Sequence, residues 1–143
     1  MARIMPVEVD WTALDDGRNP LWADTFCLYA YLHPERDWLL YIGKADYSSV
    51  RRRLSGEHKG NLFNDFGRRY GIDQIRVLHG ALSPDEGRRR SSELLSDVES
   101  LLITRLQPFG NIQSRRSRIA RRGLRVHCVG DWPFKRFRFH DVD

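Results

Sequence analysis

The stretch "TFCLYAYLHPERDWLLYIGK", residues 25–44, decides the fold class of this 143-residue chain. Its two halves, 25–33 and 38–44, are rich in aromatic and other β-favouring residues, and the turn-forming "PERD" separates them. So short a connection between neighbouring strands indicates an antiparallel hairpin, because a parallel pair needs a long crossover. We therefore expect an α/β mixture (α+β) in which helices surround an antiparallel sheet.

Helical and strand-like patterns alternate after this hairpin. Residues 48–59 suit one helix, and residues 83–107 suit a longer helix that Ser83 caps and Pro108 stops. The remaining predictions are a short helix at 61–71, a strand at 73–80, and a C-terminal hairpin made from 125–129 and 134–139.

The chain length fits one domain with a real core. We expect an irregular N-terminal arm at residues 1–24, with at most a short strand at "MPVEV" (5–9). The main domain spans residues 25–112, and a basic C-terminal extension, residues 113–143, packs on it.

The prediction of the cellular location depends on two kinds of targeting signal, and the sequence shows neither of them. No apolar run approaches the ~20 residues that a membrane-spanning helix needs. The N-terminal residues have no long apolar segment of the kind found in secretion signals. We expect an intracellular, cytoplasmic protein in which Cys27 and Cys128 are buried thiols.

The charge is unevenly distributed along the chain. The net charge is +5, but residues 1–46 carry four basic and eight acidic residues, whereas residues 47–143 carry twenty and eleven. Of the 24 basic residues 21 are Arg, whose planar fork suits phosphate oxygens. This pattern is typical of nucleic-acid binders. The alternative is that the charge serves solubility alone.

An ordered set of polar residues accompanies these elements. The set is Tyr29 in "CLY", Tyr41, Gly43 and Lys44 in "YIGK", Arg53 in "RRRL", and Glu99 and Asn111 in "ESLLITRLQPFGN". From about Thr25 to Asn111 the chain thereby resembles the GIY-YIG nuclease family. It departs from the family pattern at Cys27, which replaces the glycine of the first motif.

The resemblance implies a fold and an activity. The fold is a small three-stranded antiparallel sheet flanked by helices, here with a C-terminal β-hairpin extension. The activity is endonucleolytic hydrolysis of DNA phosphodiester bonds with one divalent ion, which Glu99 binds. One carboxylate suits Mg²⁺ or Mn²⁺, because these ions keep several waters and accept phosphate oxygens.

The family pattern also implies roles for individual side chains. One tyrosine would take the proton from the attacking water, and Arg53 would face the phosphate. We favour Tyr29 as this base and Tyr41 as the residue that orients the water, but which of the two tyrosines is the base stays open. Arg52 is the reserve candidate, because the loop after Gly43 is long enough to shift the register by one residue.

A histidine often assists in similar nucleases, and His58 is the candidate here. It lies five residues beyond Arg53, whereas the common spacing is four. A step of five turns the side chain by roughly 140° on a helix. Gly56 lies between them and could loosen the turn, so the role of His58 stays open.

The remaining candidates support the site or hold DNA. Gly43 and Lys44 would shape the second motif, and Asn111 would fix the loop after Pro108 by bonding to backbone. The expected DNA contacts are Arg51, Arg52, Lys59, Arg115, Arg116, Arg118, Arg121 and Arg122.

The sequence leaves other functions open. The main alternative is a non-catalytic nucleic-acid-binding module that keeps this fold. RNA is a second conceivable substrate, and the chain could act only with a partner that supplies targeting. A double-strand cut would need a homodimer or two sequential nicks, because each chain carries one site.

Overall fold

The computed structural model describes residues 4–55, 57–84, 91–111 and 123–141. It contains six strands and three α-helices within these ranges. The strands are β1 (Met5–Ala13), β2 (Cys27–Leu32), β3 (Leu39–Ala45), β4 (Arg76–Pro84), β5 (Leu124–Gly130) and β6 (Arg138–His140). The helices are α1 (Val50–Arg53), α2 (Glu57–Tyr70) and α3 (Ser92–Leu106), with short 3₁₀ turns at Pro20–Ala23 and Phe109–Asn111.

The six strands form one mixed sheet in the order β3-β2-β4-β1-β5-β6. The expectation of a small three-stranded sheet is therefore wrong. Strands β3, β2 and β4 do pair antiparallel, but β1 continues the sheet beyond β4. Strand β1 then pairs parallel with β5, which brings the C-terminal hairpin into the same sheet.

The N-terminal segment explains most of this difference. Residues 5–13 form a nine-residue strand inside the sheet, not an irregular arm. Val7, Val9 and Trp11 are buried while Glu8 and Asp10 between them are exposed, which is the two-residue period of a half-buried strand. The sequence carries this alternation along the whole segment, but the prediction assigns a strand only to its first half.

The long helix begins later than expected. Ser83 and Pro84 end β4 by pairing with Glu8 and Val7, so neither of them starts a helix. The cap of α3 is Ser91, whose hydroxyl accepts a hydrogen bond from the Leu94 backbone N–H. Because β4 pairs with β1 as far as Pro84, α3 begins about two helical turns later in the chain than predicted.

The helical segment expected at 48–59 is divided. Helix α1 ends at Arg53 and α2 begins at Glu57, and the intervening sequence includes Ser55 and Gly56, which are weak helix formers. Helix α2 runs on to Tyr70, and Gly71 follows it in the left-handed conformation (φ +66°). Residue 59 therefore belongs to α2 and not to the helix that carries Arg53.

The sheet separates two apolar clusters. On one face α3 packs against β1, β2 and β5, together with Trp132 and Phe139 from the C-terminal segment. On the other face α2 covers β3, β2 and β4. All six residues of β2 are buried, because this strand is covered on both faces. None of the helices described here is long and apolar enough to cross a membrane.

Trp11 and Gly80 pack closely at the centre of the sheet, and they yield the first prediction. A Cβ at Gly80 would lie 2.9 to 3.0 Å from three atoms of the Trp11 ring. We expect Gly80→Ala to lower the free energy of unfolding by about 1–3 kcal/mol, measured by urea denaturation. Gly17→Ala is the matched control, because a Cβ at that position would have no neighbouring atom within 4 Å. Equal stability of the two variants would contradict this packing.

Candidate active site

Three tyrosines project from the α2 side of the sheet. Tyr29 and Tyr31 lie two residues apart on β2, so their side chains share one face of the sheet. Tyr41 lies on β3 opposite Tyr31. The ring centroids are 5.3 Å apart for Tyr29 and Tyr31, 5.4 Å for Tyr31 and Tyr41, and 6.0 Å for Tyr29 and Tyr41. The alternation of side chains along paired strands brings these phenols together.

Gly43 makes room for one of these rings. It pairs with Tyr29 across the β2–β3 ladder, and a Cβ on Gly43 would collide with the Tyr29 ring and hydroxyl. Only glycine fits at position 43 of the "YIG" motif while the Tyr29 ring keeps this position. Any larger residue would displace the Tyr29 phenol from its present position.

Lys59 enters the centre of the tyrosine group from the first turn of α2. Its side chain is 5% exposed, and Nζ donates a hydrogen bond to the Tyr29 hydroxyl at 2.8 Å. The same Nζ lies 4.0 Å from the ring centroid of Tyr41 and 5.1 Å from that of Tyr31. Lys59 therefore does not lie on a DNA-facing surface, where we expected it.

The sequence contains a signal for this burial. Counted from the observed start of α2, Lys59 is in phase with Leu62, Phe63 and Phe66, which pack into the core of this face. The signal is lost when residues 48–59 are treated as one helix, because Lys59 then lies at the helix end.

Arg53 is the arginine that reaches this centre. Its side chain is half-buried, and Nε is buried without a hydrogen-bond partner in the described part of the chain. Arg51 and Arg52 are exposed, and Arg51 extends over the Trp22 ring, 5.2 Å from its centroid. The geometry favours Arg53 over the reserve candidate Arg52.

Glu99 approaches the same centre from α3. Burial raises the pKa of its carboxyl group to about 7, against the opposing effect of Lys44, Arg53 and Lys59. The charge of Glu99 in turn helps to raise the pKa of Tyr41. Glu99 is itself half-buried, and it lies within electrostatic range of these cations and of Tyr41.

Burial changes which groups at this site can accept a proton. Burial is the main cause of the raised pKa values of Tyr29, Tyr31 and Tyr41. Burial and the neighbouring Arg53 charge lower the pKa of Lys59 to about 7. At neutral pH the phenols therefore keep their protons, while a large fraction of Lys59 is a free amine.

Two of the supporting residues have clear partners. Lys44 donates a hydrogen bond from Nζ to the Ser96 hydroxyl of α3 at 2.6 Å. The Asn111 amide accepts from the Ile42 backbone N–H at 2.8 Å and donates to the Ile42 carbonyl at 2.7 Å. Asn111 thus bonds to backbone as expected, and it fixes the edge strand next to Tyr41.

Some predicted residues cannot be placed. The side chain of His58 is outside the described part of the structure. The same holds for Arg115, Arg116, Arg118, Arg121 and Arg122, which all fall between residues 111 and 123. These assignments stay predictions.

A second group of potential ligands lies beside Tyr29 on the same sheet face. Ligand atoms of Asp24, Cys27 and His79 lie within 4.8 Å of one another, and His79 Nε2 is 2.7 Å from Asp24 Oδ2. Among the described residues His79 Nδ1 has no partner, although it is buried. A metal at Nε2 would leave an unpaired N–H there, whereas metal-binding histidines normally donate that proton to a partner.

Comparison with known proteins adds no further assignment. No protein-family model matches the chain, and no curated protein or solved structure is significantly similar to it. The functional interpretation therefore depends on the residues and geometry described above.

The unusual environment of Lys59 yields the second prediction. The chain has three lysines, so ¹³C-labelled lysine gives a simple NMR spectrum, and Lys59→Met identifies one signal by its disappearance. We expect this signal to titrate with a midpoint near pH 7, because burial and Arg53 lower the Lys59 pKa to about 7. A midpoint near the ordinary value of about 10.4 would contradict the burial of Nζ among the tyrosines.

Proposed function

We propose that this protein is a metal-dependent endonuclease of the GIY-YIG type that hydrolyses DNA phosphodiester bonds. The observation that carries the proposal is the convergence of Tyr29, Tyr41, Lys59, Arg53 and Glu99 on one part-buried centre. These residues come from β2, β3, α1, α2 and α3. A DNA substrate also favours an intracellular place of action.

The residues fit one hard divalent ion. Glu99 supplies a carboxylate oxygen, and the nearby donors are phenol oxygens, so Mg²⁺ or Mn²⁺ suits this set better than a thiophilic metal. Lys44, Arg53 and the protonated fraction of Lys59 already act on Glu99, so the substrate phosphate would have to supply further negative charge. When bound, the ion would polarise the phosphate and support the departing oxygen.

The pKa values suggest a route for the proton of the attacking water. A phenol with a raised pKa is a poor base by itself, but Tyr29 contacts Lys59 directly. With Lys59 as the free amine, Tyr29 would accept the water proton and pass its own proton to Nζ. The hydroxide oxygen would then bond to phosphorus as the bond to the leaving oxygen breaks.

Arg53 would stabilise the charge that develops on the phosphate. Its Nε is buried and unpaired among the described residues, so a phosphate oxygen would satisfy a donor that now has no partner. A preorganised donor of this kind typically contributes about 10²–10³ to the rate. Arg51 and Arg52 are exposed on the same helix, where they could hold the neighbouring backbone.

The burial of these groups favours an enzyme over a binding module. A protein that only holds DNA gains from exposed cations, whereas a buried lysine and a half-buried glutamate cost folding free energy. Groups with strongly shifted pKa values in a cluster are typical of active sites.

The proposal yields the third prediction. Glu99→Gln should lower Mg²⁺- or Mn²⁺-dependent cleavage of plasmid and branched DNA by at least about 10³-fold, because it removes the charged ligand. DNA affinity in EDTA should stay close to that of the wild type.

The matched control is Glu93→Gln, which changes an exposed glutamate on the same helix. This variant should cleave as the wild type does. Full activity of Glu99→Gln, or no cleavage by the wild type with any of these substrates, would refute the endonuclease assignment.

A further inference from the structure

An open groove of about 800 Å³ lies between the β2–β3 turn and the C-terminal half of α2. Four rings line it in a continuous row. The centroid of Trp38 is 5.0 Å from His33 and 5.8 Å from Tyr70, and Tyr70 is 5.6 Å from Phe109. Trp38 is 45% exposed, so part of its indole is accessible to a ligand.

Arginines accompany these rings. Arg36 Cζ lies 4.9 Å from the Trp38 ring centroid, and Arg69 Cζ lies 5.0 Å from that of Phe109. Arg68 also lines the groove, and all three arginines are exposed. Asp65 is the acidic lining residue, so the groove has a positive balance.

An exposed indole, backed by partly buried rings and surrounded by arginines, is suited to an unpaired nucleotide. Bases stack on aromatic side chains in most sites that bind single strands, while arginines follow the phosphates. A duplex hides its base faces, so it could use the arginines but not the rings. A protein partner would also use Trp and Arg, but it would have to present an acidic surface to this groove, whereas every nucleic acid carries phosphates.

The groove lies near the candidate active site. Tyr31 and His33 are two residues apart along the chain, which corresponds to about 7 Å on an extended strand. A row of rings also joins the two places. Phe63 is 5.8 Å from Tyr31, Phe66 is 6.2 Å from Phe63, and Phe109 is 6.3 Å from Phe66.

We infer that this groove stacks an unpaired nucleobase from the DNA strand whose phosphate lies at Arg53. The protein would then prefer DNA with unpaired nucleotides beside the cut, such as a flap or a frayed end. The position of the cut rests on the proposed function, but the affinity of the groove for an unpaired base does not.

The test compares DNA affinities in EDTA, where no cleavage is needed. Fluorescence anisotropy is recorded with a labelled strand of about 20 nucleotides and with the matching duplex. Trp38→Ala should weaken single-strand binding by about tenfold and leave duplex binding nearly unchanged. Trp38→Phe keeps a ring, and it should bind the single strand nearly as the wild type does.

Phe137→Ala is the matched control. Phe137 is 40% exposed and carries an arginine, Arg138, 5.1 Å from its ring centroid, but it precedes β6 at the opposite edge of the sheet. This variant should not distinguish single strands from duplex.

The outcomes separate the two proposals. No loss with Trp38→Ala, or an equal loss for single strand and duplex, would overturn the inference and favour a protein ligand for the groove. A selective loss in a protein that cleaves no DNA would support the groove while it refutes the endonuclease.

Discussion

The contact between Lys59 and Tyr29 is the interaction on which the site depends. A lysine at 5% exposure loses its hydration, and in return it gains a 2.8 Å hydrogen bond and the faces of aromatic rings. The contact forms only because Gly43 leaves room for the Tyr29 ring. It ties the start of α2 to β2 and holds Nζ in a buried position, where burial and the Arg53 charge lower the Lys59 pKa to about 7.

The sheet keeps the polar group around Lys59 apart from the larger apolar cluster, because the two lie on opposite faces. Strand β2 is buried on both faces, but Leu28, Ala30 and Leu32 face the α3 cluster while Tyr29 and Tyr31 face α2. The larger apolar cluster thus lies on the α3 face, while the α2 face combines a smaller apolar cluster with buried polar groups. Such groups are costly, and natural proteins keep them mainly where function needs them.

The sequence predicted the local elements of the site better than the architecture. The β2–β3 hairpin and the C-terminal hairpin were confirmed, because alternation and turn residues are local signals. The position of β1 between β4 and β5 was missed, because pairing between distant segments leaves no local trace. The burial of Lys59 was missed for a related reason, since it depends on where α2 begins.

The pH dependence of cleavage tests the central claim most directly. Lys59 and Glu99 both have a pKa of about 7, and in the proposed mechanism both must lose a proton to act. At sub-saturating Mg²⁺, the logarithm of the single-turnover rate should rise below pH 7 with a slope of about two and level off above it. Lys59→Met should be much slower, with a slope of about one. A wild-type rate that is constant or falls from about pH 6 to 9 would contradict the account.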